Sequence, residues 1–411
     1  MLESTPDMRE ASLDSQKASQ VEGGAPGAEA AKASSSETAP LDPRAQKEQA
    51  KAEARAKKEA ARLAKRQAKE AAQAAKDMKD ANAAAAEERR REHVRAFRAS
   101  RTHIHIIVDS CGDFDPDVAE ALGVEVIGFP YVIDGQEHID DLFQEISAHE
   151  FYDAMRHGAH PTTSAVTPGR YYEIFKAAAE KGKPTIYLAF TEALSSSVNA
   201  AREAAKMVRE EYPGFEIYVI DNLCPSGAAQ LLAIEAVHQA NQGASVEDLV
   251  AWIEEARHYV HGYFTLENFD ALARGGRIPA SAASLGGKLD IKPELYYDPS
   301  GALGFKRMCR GRKKALRAIV EDFRTMSDGE RSMPIGIITA DAEKDGDWLE
   351  ALLRREPGCE DIPIVRSSVS PVIGSHVGPG MVALVFWGKD RRESSSLSSR
   401  IASKVTSRHN S

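Results

Sequence analysis

Short apolar runs alternate with amphipathic stretches over the last three quarters of the chain. The run His103-Ile104-His105-Ile106-Ile107-Val108 has strand length and ends in the polar Asp109-Ser110-Cys111-Gly112-Asp113, the pattern of a buried strand whose end borders a site. An apolar segment follows at 124–133. A helix is predicted over about 147–157, opened by the capping box Ser147-x-x-Glu150. The hydroxyl-rich run Pro161-Thr162-Thr163-Ser164-Ala165-Val166-Thr167-Pro168 comes next, with Thr167-Pro168 as N-cap and first residue of a helix over about 168–180. A strand at 185–190 leads into a second hydroxyl run, Ser195-Ser196-Ser197, and a helix to about 211. A strand at 216–220 and helices at about 226–242 and 245–257 complete a β-α alternation. That order predicts an α/β fold with a mostly parallel sheet, whose ligands sit beyond the carboxyl ends of the strands.

The pattern then changes. Strands are predicted at 261–266, 291–298 and 302–306, the last two joined by the turn Asp298-Pro299-Ser300-Gly301. A glycine corner, Arg274-Gly275-Gly276-Arg277-Ile278, a helix over about 311–326, strands at 335–339 and 362–365, the glycine-rich Pro371-Val372-Ile373-Gly374-Ser375-His376-Val377-Gly378-Pro379-Gly380 and a strand at 382–387 make an α+β second domain. The expected organisation is disorder over 1–41, a charged helix over 42–100, an α/β domain over 101–262, an α+β domain over 263–391 and a disordered tail over 392–411. The charged segment carries too few large apolar residues for a coiled-coil seam.

Composition narrows the function. The net charge of −9 over 411 residues argues against a body built to hold nucleic-acid phosphates. The four cysteines, Cys111, Cys224, Cys309 and Cys359, show neither CxxC nor metal-ligand spacing, which suits a reduced, cytoplasmic protein. No apolar run reaches the roughly 18 residues of a spanning helix. No P-loop, HExxH, GxSxG or dinucleotide fingerprint is present in the sequence. A P-loop ATPase and a Rossmann oxidoreductase are therefore not expected, and no metal or cofactor is expected.

Candidate chemistry is concentrated in the two hydroxyl runs. A hydroxyl-rich loop entering a helix N-terminus gathers donors suited to a carboxylate or phosphate, although Ser and Thr also cap helices for purely structural reasons. His376, among glycines that let the backbone turn, offers an imidazole, and Arg277 a guanidinium. The dense basic segment 306–314 suits protein docking better than nucleic acid, since no aromatic residues are interleaved with it.

Taken together, Asp109-Ser110, PTTSAVTP, LSSSVNAA, GGRI, GGKLDIKP, GRKKAL and PVIGSHVGPG make the stretch from about 104 to 389 resemble the DegV family of bacterial fatty-acid-binding proteins. The resemblance implies a two-domain fold closing around one long-chain fatty acid. Thr163, Ser164, Ser195 and His376 match the positions that hold the carboxyl; Arg277, Ser110 and Ser196 match possible head-group or partner contacts. It further implies a carrier serving a separate ATP-dependent fatty acid kinase of the dihydroxyacetone-kinase type, which makes an acyl phosphate for phospholipid synthesis. Ala165-Val166 and Ser195-Ser196-Ser197 depart from the family's common Gln-Pro and Ser-Gly-Thr, and the lost glycine implies a changed turn. The competing readings are a serine hydrolase or acyltransferase with Ser195 as nucleophile and His376 as base, and a regulatory protein acting through the basic segment.

Overall fold

A computed structural model describes residues 103–278, 291–329 and 333–394, together with scattered positions between 51 and 76. The chain divides into two compact units, residues 1–82 and 83–411. In the first, every described position is helical and exposed, in keeping with a sequence of Ala, Lys, Arg and Glu. The disorder expected over 1–41 lies outside the described residues, as does the tail from 395, whereas residues 392–394, expected in that tail, belong to a short 3-10 turn over Arg391–Ser394.

Among its described residues the second unit holds three sheets. The first runs in the order β2 (Glu125–Ile127), β1 (His105–Asp109), β6 (Thr185–Ala189), β7 (Ile217–Asp221), with every neighbour parallel. Its central strands are apolar on both faces because helices cover both. Helices α1 (Pro116–Leu122), α3 (Pro168–Lys181) and α4 (Ser197–Glu211) belong to this half. On α4 the small residues Ala201, Ala204, Ala205 and Val208 repeat at helical spacing and are fully buried. Helix α2 (Ala148–Arg156) carries the expected capping box. A three-stranded antiparallel sheet orders β4 (Gln136–Ile139), β3 (Pro130–Ile133) and β5 (Thr162–Thr163).

The six-stranded sheet runs β10 (Leu303–Arg310), β9 (Ile291–Tyr297), β8 (Val260–Thr265), β13 (Val382–Trp387), β11 (Ile335–Thr339), β12 (Ile364–Ser368). Only its β11–β12 pair is parallel. Strand β8 is wholly buried and spans residue 262, where the sequence reading divides the domains. Helix α5 (Gly227–Asn241) packs on β8, β11 and β13 and also on the turn at 110–112. It is therefore apolar nearly all round, as a helix between two layers must be. Helix α6 (Val246–Ala256) follows, capped by Ser245. Between the halves, the Asp341 carboxylate accepts from Arg156 and lies 3.0 Å from His149 Nδ1.

Several elements differ from the sequence reading, which lacks α1, β4, β5 and the short helix over Asp270–Arg274. The 124–133 segment splits into β2 and β3, and β10 continues four residues beyond 306. A helix absent from that reading, α9 (Glu343–Leu353), follows β11. The glycine-rich 371–380 segment is not a loop at its start but a helix, α10 (Pro371–Val377), with Pro371 in its first turn. Two further helices in this half are α7 (Asp270–Arg274) and α8 (Arg312–Met326).

Candidate functional site

Two residues of the first hydroxyl run, Thr162 and Thr163, are held as a strand. Thr163 pairs with Tyr131 of β3 in antiparallel register, which fixes the backbone at the point where its side chain meets His376. Further along, the Val166 N–H donates to Ser197 Oγ at 3.2 Å, joining the first hydroxyl run to the second. Ser195 Oγ donates to Ser197 Oγ at 3.0 Å and accepts from the Ser197 N–H at 3.2 Å. None of Ser195, Ser196 and Ser197 has positive φ, so three serines make this turn without the glycine that the family commonly places there.

A cavity of about 190 Å³ opens beside these runs. The apolar part of its lining includes Phe129, Phe190, Phe264, Leu272, Val372 and Met381. The polar part includes Thr163, Ser164, Ser195, Ser196, Arg277 and His376, of which Thr163 and His376 touch. Thr163 Oγ1 lies 2.8 Å from His376 Nε2. The Arg277 Nε donates to the Leu194 carbonyl at 3.3 Å, beside Ser195, while its Nη1 donates to the Gly275 carbonyl at 2.6 Å. Burial, and then the Arg277 charge, push the His376 pKa down to about 4. The imidazole is neutral at neutral pH. Its Nδ1 is buried with no hydrogen-bond partner among the described residues, close against Gly275, where an added Cβ would lie 2.0 Å away. The tautomer with hydrogen on Nε2 leaves only a lone pair unmatched there, and it directs that hydrogen at Thr163. The Thr163 hydroxyl hydrogen is then free for a ligand.

Six of the seven candidate residues thus line one cavity, and the seventh does not. Ser110 is fully buried, its Oγ accepting from the Phe129 N–H at 3.1 Å. It supports the wall behind Phe129; the neighbouring Cys111 reaches the cavity in its place. The helix end expected to face the ligand also differs. Thr167 caps α3 through the Arg170 N–H, but residues 167–170 are exposed and outside the lining. It is α4 whose start, at Ser195 and Ser196, borders the cavity. Sequence reasoning missed Cys111, Ser226 and Tyr297 in the lining, because only the folded chain brings them there.

The pairings bear on the competing readings. His376 meets Thr163, and Ser195 is engaged with Ser197, so the nucleophile–base contact of a hydrolase is not made between Ser195 and His376. Within the basic segment, Arg307 pairs with buried Glu294 and with Asp322, and Arg312 pairs with Asp345; these cations serve the fold. Among the described residues no group of three His, Cys, Asp or Glu side chains could hold a metal ion, and no helix is long and apolar enough to cross a membrane. The residues 286–290 of the GGKLDIKP motif lie outside the described residues.

A family model described as "Uncharacterised protein, DegV family" matches residues 103–389. A DegV domain-containing protein of Clostridium perfringens is 32% identical over 283 residues, covering 69% of this chain and 97% of that protein. A Streptococcus pyogenes relative is 30% identical over 287 residues, covering 70% of this chain and 99% of its own. Among solved structures, a DegV lipid-binding protein of Thermotoga maritima is 27% identical with a TM-score of 0.63, over 70% of this chain and 99% of that one. A DegV family protein of Thermus thermophilus, whose structure is described as one of fatty acid binding, is 27% identical with a TM-score of 0.62, over the same shares. The order of the sheets, the motifs from Asp109 to Gly380 and these matches agree: the chain belongs to the DegV family.

Proposed function

We propose that this protein binds a long-chain fatty acid, with the tail in the cavity and the carboxyl held by Thr163, Ser164, Ser195 and His376. The observation that carries the proposal is the gathering of one polar group in the lining of an otherwise largely apolar cavity: the Thr163–His376 contact, and Arg277 bonded to the Leu194 carbonyl beside the Ser195 turn. Burial of a tail contributes roughly 0.8 kcal/mol per methylene, so apolar walls supply most of the affinity. Neutral donors at the head leave a carboxylate oxygen accessible, whereas a bidentate guanidinium would occupy both oxygens. That accessibility suits a carrier, with domains 101–262 and 263–391, which presents its acid to a separate ATP-dependent kinase of the dihydroxyacetone-kinase type for acyl-phosphate formation and phospholipid synthesis. Arg277 and Ser196 then serve the head group or the docking of that partner. The four free, buried cysteines suit a cytoplasmic setting.

The test is native mass spectrometry of the purified protein, identification of any lipid released on denaturation, and titration with palmitate and methyl palmitate. A bound fatty acid and a preference for the free acid are expected. A protein that emerges empty and takes up neither compound overturns the proposal.

A further inference from the structure

Asp113 ties together three segments that are distant in sequence. It follows the 110–112 turn with φ 53° and ψ 41°, in the left-handed region that Asp and Asn enter more readily than other side chains. Its carboxyl is buried. One oxygen accepts from Ser226 Oγ, and the other accepts from the Ser370 N–H at 2.8 Å. Both partners lead to the cavity. Ser226 lines it directly, with φ 59° and ψ −147°, a backbone conformation that a serine keeps only where its surroundings hold it. Ser370 is the N-cap residue of α10, which presents Val372, Ile373, His376 and Val377 to the cavity.

Helix α10 has only seven residues and no side-chain cap of its own, so its internal hydrogen bonds are too few to fix where it lies. Its buried face packs it from the side, the Val369 N–H anchors the residue before its cap on the Thr339 carbonyl, and contacts at its two ends limit its remaining freedom. At the start these are the Asp113–Ser370 bond and the Tyr152 hydroxyl on the Val369 carbonyl at 2.6 Å; near the end it is His376 against Thr163. We infer that Asp113 is a positioning residue for the head-group site, its carboxyl fixing α10 against the start of α5 and so setting where His376 meets Thr163. The inference rests on the fatty-acid reading for its consequence but on the geometry alone for the tie. Burial raises the Asp113 pKa to about 7, so an amide here reproduces the shape and much of the bonding of the protonated carboxyl.

The full-length wild type, Asp113→Asn and Asp113→Gly are compared in two ways. Both replacements suit the left-handed backbone, and only glycine removes the tie. Amide exchange across 369–378, followed by mass spectrometry without ligand, is expected to quicken about tenfold in the glycine variant, the scale of one lost hydrogen bond. Palmitate binding is expected to weaken about tenfold there while methyl palmitate stays within about twofold, and the asparagine variant behaves as wild type in both measurements. Unchanged exchange in Asp113→Gly overturns the tie, and equal losses for acid and ester overturn the positioning role. Should Asp113→Gly not fold, Ser226→Gly suits its own backbone and removes one of the two bonds; an unchanged acid-to-ester ratio there overturns the role equally. If wild type binds neither compound, the fatty-acid reading falls, and exchange still decides whether the tie exists.

Discussion

His376 and Thr163 lie 213 residues apart in the chain, yet Nε2 of one stands 2.8 Å from Oγ1 of the other. Each comes from a different sheet system, β5 for Thr163 and the segment after β12 for His376. The contact therefore exists only when the two halves are assembled. The relationship also depends on a glycine. A Cβ on Gly275 would lie 2.0 Å from His376 Nδ1, nearer than any real contact.

Gly275→Ala should therefore displace the imidazole without straining the backbone, because φ at Gly275 is −75°. We expect fatty acid binding to weaken about tenfold with the fold retained, the scale of one hydrogen bond. Gly276→Ala is the contrast. Its φ of 69° disfavours a side chain, but nothing lies within 4 Å of the added carbon, so it should cost about 1–2 kcal/mol of stability and spare binding. Urea unfolding and palmitate titration of both variants check the split.

The pH dependence of stability follows from buried groups. Burial raises the pKa of Asp109, Asp113 and Asp140 to about 7, and burial together with the Asp322 carboxyl raises that of Glu294 to about 9. The folded protein binds more protons at these sites than the unfolded chain, so their contribution grows as pH falls through 7 and is lost as pH rises. Burial lowers His258, His261 and His376 to about 4; there the unfolded chain binds more protons, and stability is lost as pH falls below 6.5. Glu125, lowered to about 2 chiefly by its bond to His105, acts only below the ordinary range of a carboxylate. Melting temperature should thus rise from about pH 8 to about 6.5 and then change little down to about 4.5, where the two sets oppose each other. Asp140→Asn should stabilise the protein at about pH 8 by on the order of 1 kcal/mol and flatten the alkaline limb. A melting temperature that falls steadily on acidification from pH 8 contradicts the assignment.

Much of this fold was legible in the sequence, for identifiable reasons. The capping box at Ser147, the Thr167-Pro168 start of α3 and the Ser245 cap are local chemistry, and each stands where its residues predict. Strand β5 escaped because two residues have no period. Helix α10 escaped because Gly374 and Gly378 read as turn residues. The chain is helical there because Pro371 suits a first turn and Val372 and Val377 are buried, while Gly374 is required by the approach of the Tyr152 hydroxyl, 2.4 Å from where a Cβ would lie. Ser110 looked like a site residue because it ends a buried strand. Whether such an end is open or roofed depends on residues 128–140, which no spacing near Ser110 reveals.

Deletion of residues 1–100 should leave ligand binding unchanged. Among the described residues, every one that lines the cavity falls between Cys111 and Met381, and the family match begins at residue 103. The measurement is palmitate affinity of the shortened and full chains, beside circular dichroism to confirm that the shortened chain folds. A folded but non-binding product would assign the segment a part in ligand capture.

Thr163 and Ser195 should act on one carboxylate, but unequally. With hydrogen on His376 Nε2, the Thr163 hydroxyl has its own hydrogen free for the ligand, and Thr163→Ala should weaken fatty acid binding by about 1.5–3 kcal/mol, the range for a bond to a charged group. The Ser195 hydrogen is committed to Ser197 Oγ and must leave that partner to serve a ligand, so Ser195→Ala should cost less, about 1 kcal/mol. Because both act on one anion, losing one donor lets the carboxylate shift or admit water, and the second loss is felt differently. A double-mutant cycle should return a coupling of about 0.5 kcal/mol or more. A methyl ester of the same chain has no anion to stabilise, so its affinity should change little across the four proteins. Additive losses would place the two hydroxyls on separate parts of the ligand, and equal losses for acid and ester would mean that the substitutions damage the cavity as a whole.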